Sequence, residues 1–303
     1  MRVPHPFPYQ GSKRNLASSI LRFFPSDVET LYEPFAGSAA ITIAAACDSL
    51  AKNFVLNDLN EPLIELWKQI IVRPVSIASD YSKLWNEQDG QERDYYNVVR
   101  DQFNQTKQPD CLLYLLARCV KASVRYNSNG EFNQSPDNRR KGMHPETMAS
   151  QITSVSRLLR GKTECLSTDY KEAMKDATER DLVYLDPPYQ GVSNNRDARY
   201  LEGVNFDDFV SALEILNRRR ISYIVSYDGR TGDKVFGETL PTFLNLHLVE
   251  LHAGRSSQST LLGRTDDTYE SLYISHALSA RLKNAAPRTL FPSADFLEMG
   301  ASV

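Results

Sequence analysis

The chain has 303 residues, 41% of them hydrophobic, and a net charge of −3, which allows one large core or two. No apolar run approaches the length that spans a bilayer, and residues 1–6 lack the apolar stretch of a signal peptide, so a cytoplasmic protein is expected. Cys47, Cys111, Cys119 and Cys165 form no Cys-x-x-Cys pair and the five histidines are scattered, which predicts reduced thiols and no metal site.

The first feature along the chain is Pro8-Tyr9-Gln10-Gly11-Ser12-Lys13. Lys13 could pair with a ligand carboxylate and Tyr9 could pack on the ligand, but many chains begin this way. A strand is expected over 31–35. It leads through the small-residue turn Ala36-Gly37-Ser38-Ala39 into a helix over 38–50. Such a turn lets a ligand approach the backbone, and the helix N-terminus offers free amides. With Gly37 as its only glycine, the turn is not the Gly-x-Gly-x-x-Gly dinucleotide pattern. A second strand, 53–58, ends in Asp58, placed to suit a ribose diol. A packing turn and an N-cap account for these two features equally well.

From about 61 to 165 helical periodicity dominates, at 62–72, 91–106, 110–124 and 146–160. A polar loop with Gly130, Pro136 and Gly142 divides these helices. From Arg118 to Lys162 nine basic residues face three acidic ones, a local balance of +6 that suits phosphate contacts, although such runs are usually solvated surface. Asp169 follows at another strand end and suits either a cofactor contact or a helix N-cap. Strands are then expected over 181–186, 221–227, 243–251 and 269–275, with a helix over 206–217. The last two strands lack an intervening helix, which predicts an antiparallel hairpin. The tail after about 277, with Pro287 and Pro292, is expected to be partly disordered.

The strand 181–186 runs into Asp186-Pro187-Pro188-Tyr189. A carboxylate, a rigid carbonyl and an aromatic ring suit a planar amino group such as adenine N6. That nitrogen is a poor nucleophile because its lone pair is delocalised. Asp186 and the Pro187 carbonyl could accept both of its hydrogens and favour a tetrahedral nitrogen, while Tyr189 stacks on the base. The prolines hold the loop without ladder partners. A simple strand-ending turn explains the tetrapeptide alone as well.

Taken together, the segments resemble the Dam-type (D12 class) DNA N6-adenine methyltransferases. Tyr9 to Lys13 is similar to that family's N-terminal AdoMet motif, Glu33-Pro34-Phe35-Ala36-Gly37-Ser38 to its AdoMet loop, and Asn57-Asp58-Leu59-Asn60 to its acidic strand end. Arg125-Tyr126-Asn127-Ser128-Asn129-Gly130-Glu131-Phe132-Asn133 resembles the signature that precedes target recognition, and Asp186 to Tyr189 the catalytic motif. The strand Ile221 to Asp228 also matches. The resemblance spans roughly residues 8–276. The chain departs from the family at Ser38-Ala39, where many members carry another glycine, and at Lys121-Ala122-Ser123-Val124, which argues against a GATC target.

The resemblance implies an α/β AdoMet-dependent methyltransferase (Rossmann-like) sheet with an inserted helical target-recognition domain. Residues 1–60 and 166–280 would form the catalytic domain, 61–165 the insertion and 281–303 a tail. It implies methyl transfer from S-adenosyl-L-methionine to N6 of an adenine flipped out of double-stranded DNA. Catalysis would rest on Asp186, Pro187 and Tyr189. The cofactor would meet Tyr9, Lys13, Glu33, Phe35, Ala36, Gly37, Ser38, Asp58 and Asp169. DNA would meet Lys121, Arg125, Asn127, Asn133, Arg139, Arg140 and Lys141. Arg125 is a candidate for reading guanine, with a phosphate contact or structural ion pair as alternatives, and the 255–264 loop could reach the DNA or the extruded base. A restriction-modification setting implies a cognate endonuclease as a functional partner; an orphan or phage enzyme is the other setting. The alternatives are a glutamine-modifying protein methyltransferase, against which Asp186 and the basic insertion argue, an RNA adenine methyltransferase, and an inactive DNA-binding regulator.

Overall fold

One sheet organises the chain. Its strands are β1 (Val28–Glu33), β2 (Ala51–Asn57), β3 (Thr163–Leu166), β4 (Leu182–Leu185), β5 (Ser222–Thr231), β6 (Lys234–Phe236), β7 (His247–Arg255) and β8 (Asp267–Ile274). They occur in a computed structural model that describes residues 3–188, 204–231, 234–236, 239–255 and 267–284. The row runs β3-β2-β1-β4-β5-β8-β7, with the first five strands parallel and β8 antiparallel to both neighbours. The short β6 pairs with β5 outside the row. A parallel row closed by a reversed hairpin is the Rossmann-like methyltransferase sheet expected from the sequence.

Side-chain alternation divides the strands between two cores. Leu31, Leu182, Tyr184 and Ile224 enter one core, and Tyr32, Val183, Leu185 and Val225 the other. All four residues of β4 are buried, as a central parallel strand covered on both faces requires. The first core is covered by α1 (Ala17–Ile20), α2 (Ala40–Cys47), α3 (Glu61–Val72), α4 (Pro74–Glu87), α5 (Glu92–Thr106), α6 (Pro109–Arg118) and α7 (Pro145–Leu159). The second is covered by α8 (Tyr170–Ala173) and α9 (Phe206–Arg218). The helices between β2 and β3 therefore share one continuous core with the sheet. Proline opens α3, α4, α6 and α7, where its missing N–H has no partner to lose.

Several elements differ from expectation. The helix expected over 110–124 stops at Arg118, because Cys119 is extended and Lys121 and Ala122 take positive φ of 59° and 53°. This bend turns the Ala122 carbonyl toward the Gln10 amide, 3.0 Å away. The helix expected from 38 begins at Ala40, since Ala39 has φ +49°. α4 and β6 are additions, and β3 is the strand whose end was expected just before Asp169. The segment after 277 begins with α10 (His276–Asn284), whose Arg281 donates to the carbonyls of Asp27, Glu179, Arg180 and Asp181, and the rest of the tail expected to be partly disordered lies outside the described residues. No helix among the described residues is long and apolar enough to cross a membrane.

Candidate active site

The chain leaves β1 toward β2 and β3 and returns to the other side of β1 as β4. A crevice opens at such a reversal, beyond the carboxyl ends of the strands. Here it is a cleft of about 290 Å³. Tyr9, Lys13, Glu33, Phe35, Ala36, Gly37, Ser38, Asp58, Asp169, Asp186 and Pro187, drawn from five separate segments, all line it. Val124, Tyr126, Asn205 and Asp208 line it as well and were not anticipated. Tyr189 and the loop residues 256–264 lie outside the described residues.

The turn after β1 is built by its neighbours. Gly37 has φ +46°, and a Cβ there would lie 3.0 Å from Cε1 of Tyr9, so the bare glycine lets the ring pack on the turn. The Gly37 amide donates to Asp58 Oδ2 at 3.0 Å and the Asn60 amide to Asp58 Oδ1 at 3.0 Å. Burial raises the Asp58 pKa, and these two amide bonds oppose the shift. The Trp67 indole donates to the Gly37 carbonyl at 2.9 Å, and Ser38 donates to Ser12 Oγ at 2.7 Å. Buried Asn57 ties three loops together. Its Nδ2 donates to the carbonyls of Pro34 and Thr168, and its Oδ1 accepts from the Thr168 amide, each at 3.0 Å.

Glu33 lies beneath this turn. It is 4% exposed and accepts from the Thr42 amide in the first turn of α2 at 3.0 Å. Burial pushes its pKa up to about 8, and nearby Asp186 adds to the shift. Asp169 is the N-cap of α8, its carboxylate accepting from the Lys171 amide at 2.8 Å, and it also lines the cleft. The Phe35 ring lies 5.2 Å from that of Tyr170.

Asp186 stands at the end of β4. Its Oδ1 lies 2.9 Å from Lys13 Nζ, which is also 3.1 Å from Glu270 Oε1 on β8. Ser226 of β5 donates to the same Glu270 oxygen at 2.6 Å. Burial pushes the Asp186 pKa up to about 6; Lys13 pulls it down and Glu270 pushes it up. Sequence reasoning missed Glu270. One signal was available: Glu270, Leu272 and Ile274 share a face of β8, and the latter two are core residues.

The residues assigned to DNA do not line this cleft. Exposed Arg125 lies between buried Val124 and Tyr126, and the Tyr126 hydroxyl donates to Asn60 Oδ1 at 3.1 Å. Lys121 and Asn133 are exposed. Asn127 shapes its own loop, with Oδ1 accepting from the amides of Asn129 and Glu131 at 2.9 Å and Nδ2 donating to Glu131 at 2.8 Å. The basic trio is partly countered by acids. Arg139 and Arg140 both pair with Asp137, at 2.9 and 3.1 Å, and Lys141 pairs with Asp89 and Glu92 at 2.9 and 2.8 Å. Arg118, counted in the basic run, is 1% exposed and donates to Tyr114 and the Glu92 carbonyl.

Comparison with known proteins bears on this arrangement. Residues 9–251 match the family model for the D12 class N6 adenine-specific DNA methyltransferase. The chain is 25% identical to the type II methyltransferase M1.LlaDCHI of Lactococcus lactis subsp. cremoris, over 88% of this chain and 94% of that protein. It is 30% identical to the retron Ec67 DNA adenine methylase of Escherichia coli, over 70% and 71%. It is 23% identical to the modification methylase StsI of Streptococcus sanguinis over 85% of this chain, a match that spans 41% of that larger protein. The family match covers most of the sheet, and the chain belongs to the D12 class of N6 adenine-specific DNA methyltransferases.

Proposed function

We propose that the methyl donor is AdoMet, that it binds across the 36–38 turn, and that an adenine flipped out of duplex DNA enters beside Asp186. One observation carries this reading: the Asp186 end of β4 and the Gly37 turn after β1 open into the same cleft. The residues present fit such a donor. Gly37 leaves the turn bare beneath Tyr9, and Asp58, set by two amides, suits a ribose diol. Lys13 and Asp169 bring a charge of each sign to the cleft. Bound there, the donor supplies an electrophilic methyl group, and its sulfur keeps the bonding electrons.

The chain's own residues do the rest. Asp186 and the Pro187 carbonyl accept the two N6 hydrogens, which frees the nitrogen lone pair to form the new N–C bond. The nitrogen becomes acidic as it is methylated and loses one hydrogen, to Asp186 or to water, so a strong base is not required. Tyr189 offers a stacking face. Unstacking the target costs roughly a few kcal/mol, which stacking and hydrogen bonding in the pocket offset.

Residues 61–165 serve target recognition, with Arg125 as the base reader and Lys121, Asn133 and the 139–141 trio on the phosphates. Residues 1–60 and 166–280 carry catalysis. We place this activity in the cytoplasm, and the relatives named as type II and modification methylases support a role in restriction-modification, with a cognate endonuclease as the functional partner. Transfer from labelled AdoMet to unmethylated genomic DNA, followed by nucleoside analysis and site mapping, tests this. N6-methyladenine confined to one short motif is expected, and AdoMet binding without transfer to DNA would overturn the reading.

A further inference from the structure

Lys13 is held between two carboxylates. Its Nζ lies 2.9 Å from Asp186 and 3.1 Å from Glu270, and the three side chains are only 10%, 19% and 14% exposed in the order Lys13, Asp186, Glu270. Glu270 is itself fixed, because the oxygen that faces Lys13 also accepts the Ser226 hydroxyl at 2.6 Å. Ser226 comes from β5, the neighbour of β4, and Glu270 from β8, the antiparallel partner of β5 one strand further out. The sheet thus brings a second acid to Asp186 from strands outside the catalytic tetrapeptide.

This arrangement meets a conflict in the transfer reaction. An aspartate clamped to an ammonium group has part of its acceptor capacity occupied. When Asp186 takes its one hydrogen of the target amino group, the carboxylate shares its charge with that donor and its hold on Lys13 weakens. A cation left unpartnered in a mostly buried site is costly, so the release needs another acceptor within reach. Glu270 is already in contact.

We propose that Glu270 is a positioning residue for methyl transfer: secured by Ser226, it takes over the Lys13 ammonium when the target amino group engages Asp186. It acts through Lys13 and does not touch the base. The proposal rests on Asp186 being the group that receives the amino hydrogens.

Among the described residues, the charges that act on Asp186 are Lys13, Glu270 and Glu33. Lys13 favours the ionised carboxylate and Glu270 opposes it. Removing the Glu270 charge takes away the carboxylate that competes with Asp186 for Lys13. Transfer then slows, and its acid limb moves to lower pH. A variant that merely loosens the fold loses activity without that displacement.

The test uses the full chain with Glu270→Gln, following single-turnover transfer to unmethylated genomic DNA across roughly pH 5 to 8, with AdoMet titration and thermal unfolding alongside. The transfer rate constant is expected to fall about tenfold or more, with AdoMet affinity held within about threefold. Glu270→Asp recovers part of the rate. Ser226→Ala shifts rate and acid limb in the same direction by less, and it decides the matter if Glu270→Gln does not fold. Transfer at the wild-type rate, or a loss confined to AdoMet affinity, would overturn the proposal. Asp186→Ala is measured in parallel. Turnover surviving there would refute the catalytic reading itself, whereas a dead Asp186→Ala beside an unaffected Glu270→Gln sinks only the role of Glu270.

Discussion

The indole N–H of Trp67, buried in α3, donates to the carbonyl of Gly37 at 2.9 Å. A helix after β2 thus pins the turn after β1 from beneath. Trp67→Phe keeps most of the packing but leaves that carbonyl without its donor, at a cost of about 1–3 kcal/mol. Urea unfolding is expected to show that loss, and AdoMet titration a weaker complex.

Gly37→Ala tests the turn directly. The new methyl meets Tyr9 at 3.0 Å, and φ of +46° strains any residue with a Cβ. We expect at least about a tenfold loss of AdoMet affinity, equivalent to about 1.4 kcal/mol. Far-UV circular dichroism should remain that of the wild type. Unchanged affinity would remove the turn from the cofactor site.

With Asp186 as the proposed acceptor of the amino hydrogen, the pH dependence of transfer follows from its carboxyl. Its carboxyl is raised to about 6, so the accepting carboxylate predominates above that pH and is lost below it. Single-turnover rates should therefore be level near pH 8 and fall as pH drops through 6. Asp186→Asn should abolish transfer at every pH while sparing much of the AdoMet binding.

Glu33 predicts a second, separate pH effect, on stability. Its folded pKa of about 8 lies above the ordinary glutamate value, so between roughly pH 4.5 and 8 the folded chain binds more protons than the unfolded one. Stability from this group is full at the acid end and falls as pH rises through 8. Glu33→Gln removes the slope. Urea midpoints compared at pH 6 and pH 8.5 should differ less in the variant, by an amount on the order of 1 kcal/mol or more.

The residues proposed to meet DNA should separate by salt dependence. Exposed Lys121 should act as a phosphate contact, and Lys121→Ala should reduce the log–log salt slope of DNA binding by about 1. Lys141 is held by Asp89 and Glu92, so Lys141→Ala should change the slope less. Arg125→Ala should relax sequence discrimination by roughly 1–3 kcal/mol at one base pair.

Local chemistry explains what could be read in advance. The residues of the cleft lie at strand ends and turns, where glycine, proline and carboxylates carry meaning within a few positions, so Gly37, Asp58 and Asp186 stood out. β3 was legible only at its end, by Asp169, since Thr163-Glu164-Cys165-Leu166 is short and mostly half-buried with no alternation. α4 begins straight after α3 at a proline, which reads as a break. Glu270 becomes meaningful only when β8 is laid beside β5, a pairing that joins distant parts of the chain. The basic run was visible, yet its partners Asp89 and Glu92 are distant in sequence and could not be subtracted from it.

The place of β4 beside β1 also has a consequence for synthesis on the ribosome. β1 has β2 on one flank early, but its other flank pairs with Leu182 and Val183. About 150 residues separate the two strands, on the order of 10–30 s of elongation at typical rates. For that interval the nascent chain carries a bare hydrophobic edge, the kind that recruits neighbouring chains. The demand on chaperones should therefore peak before β4 emerges, and messages truncated within the helical segment should yield aggregating fragments rather than soluble ones.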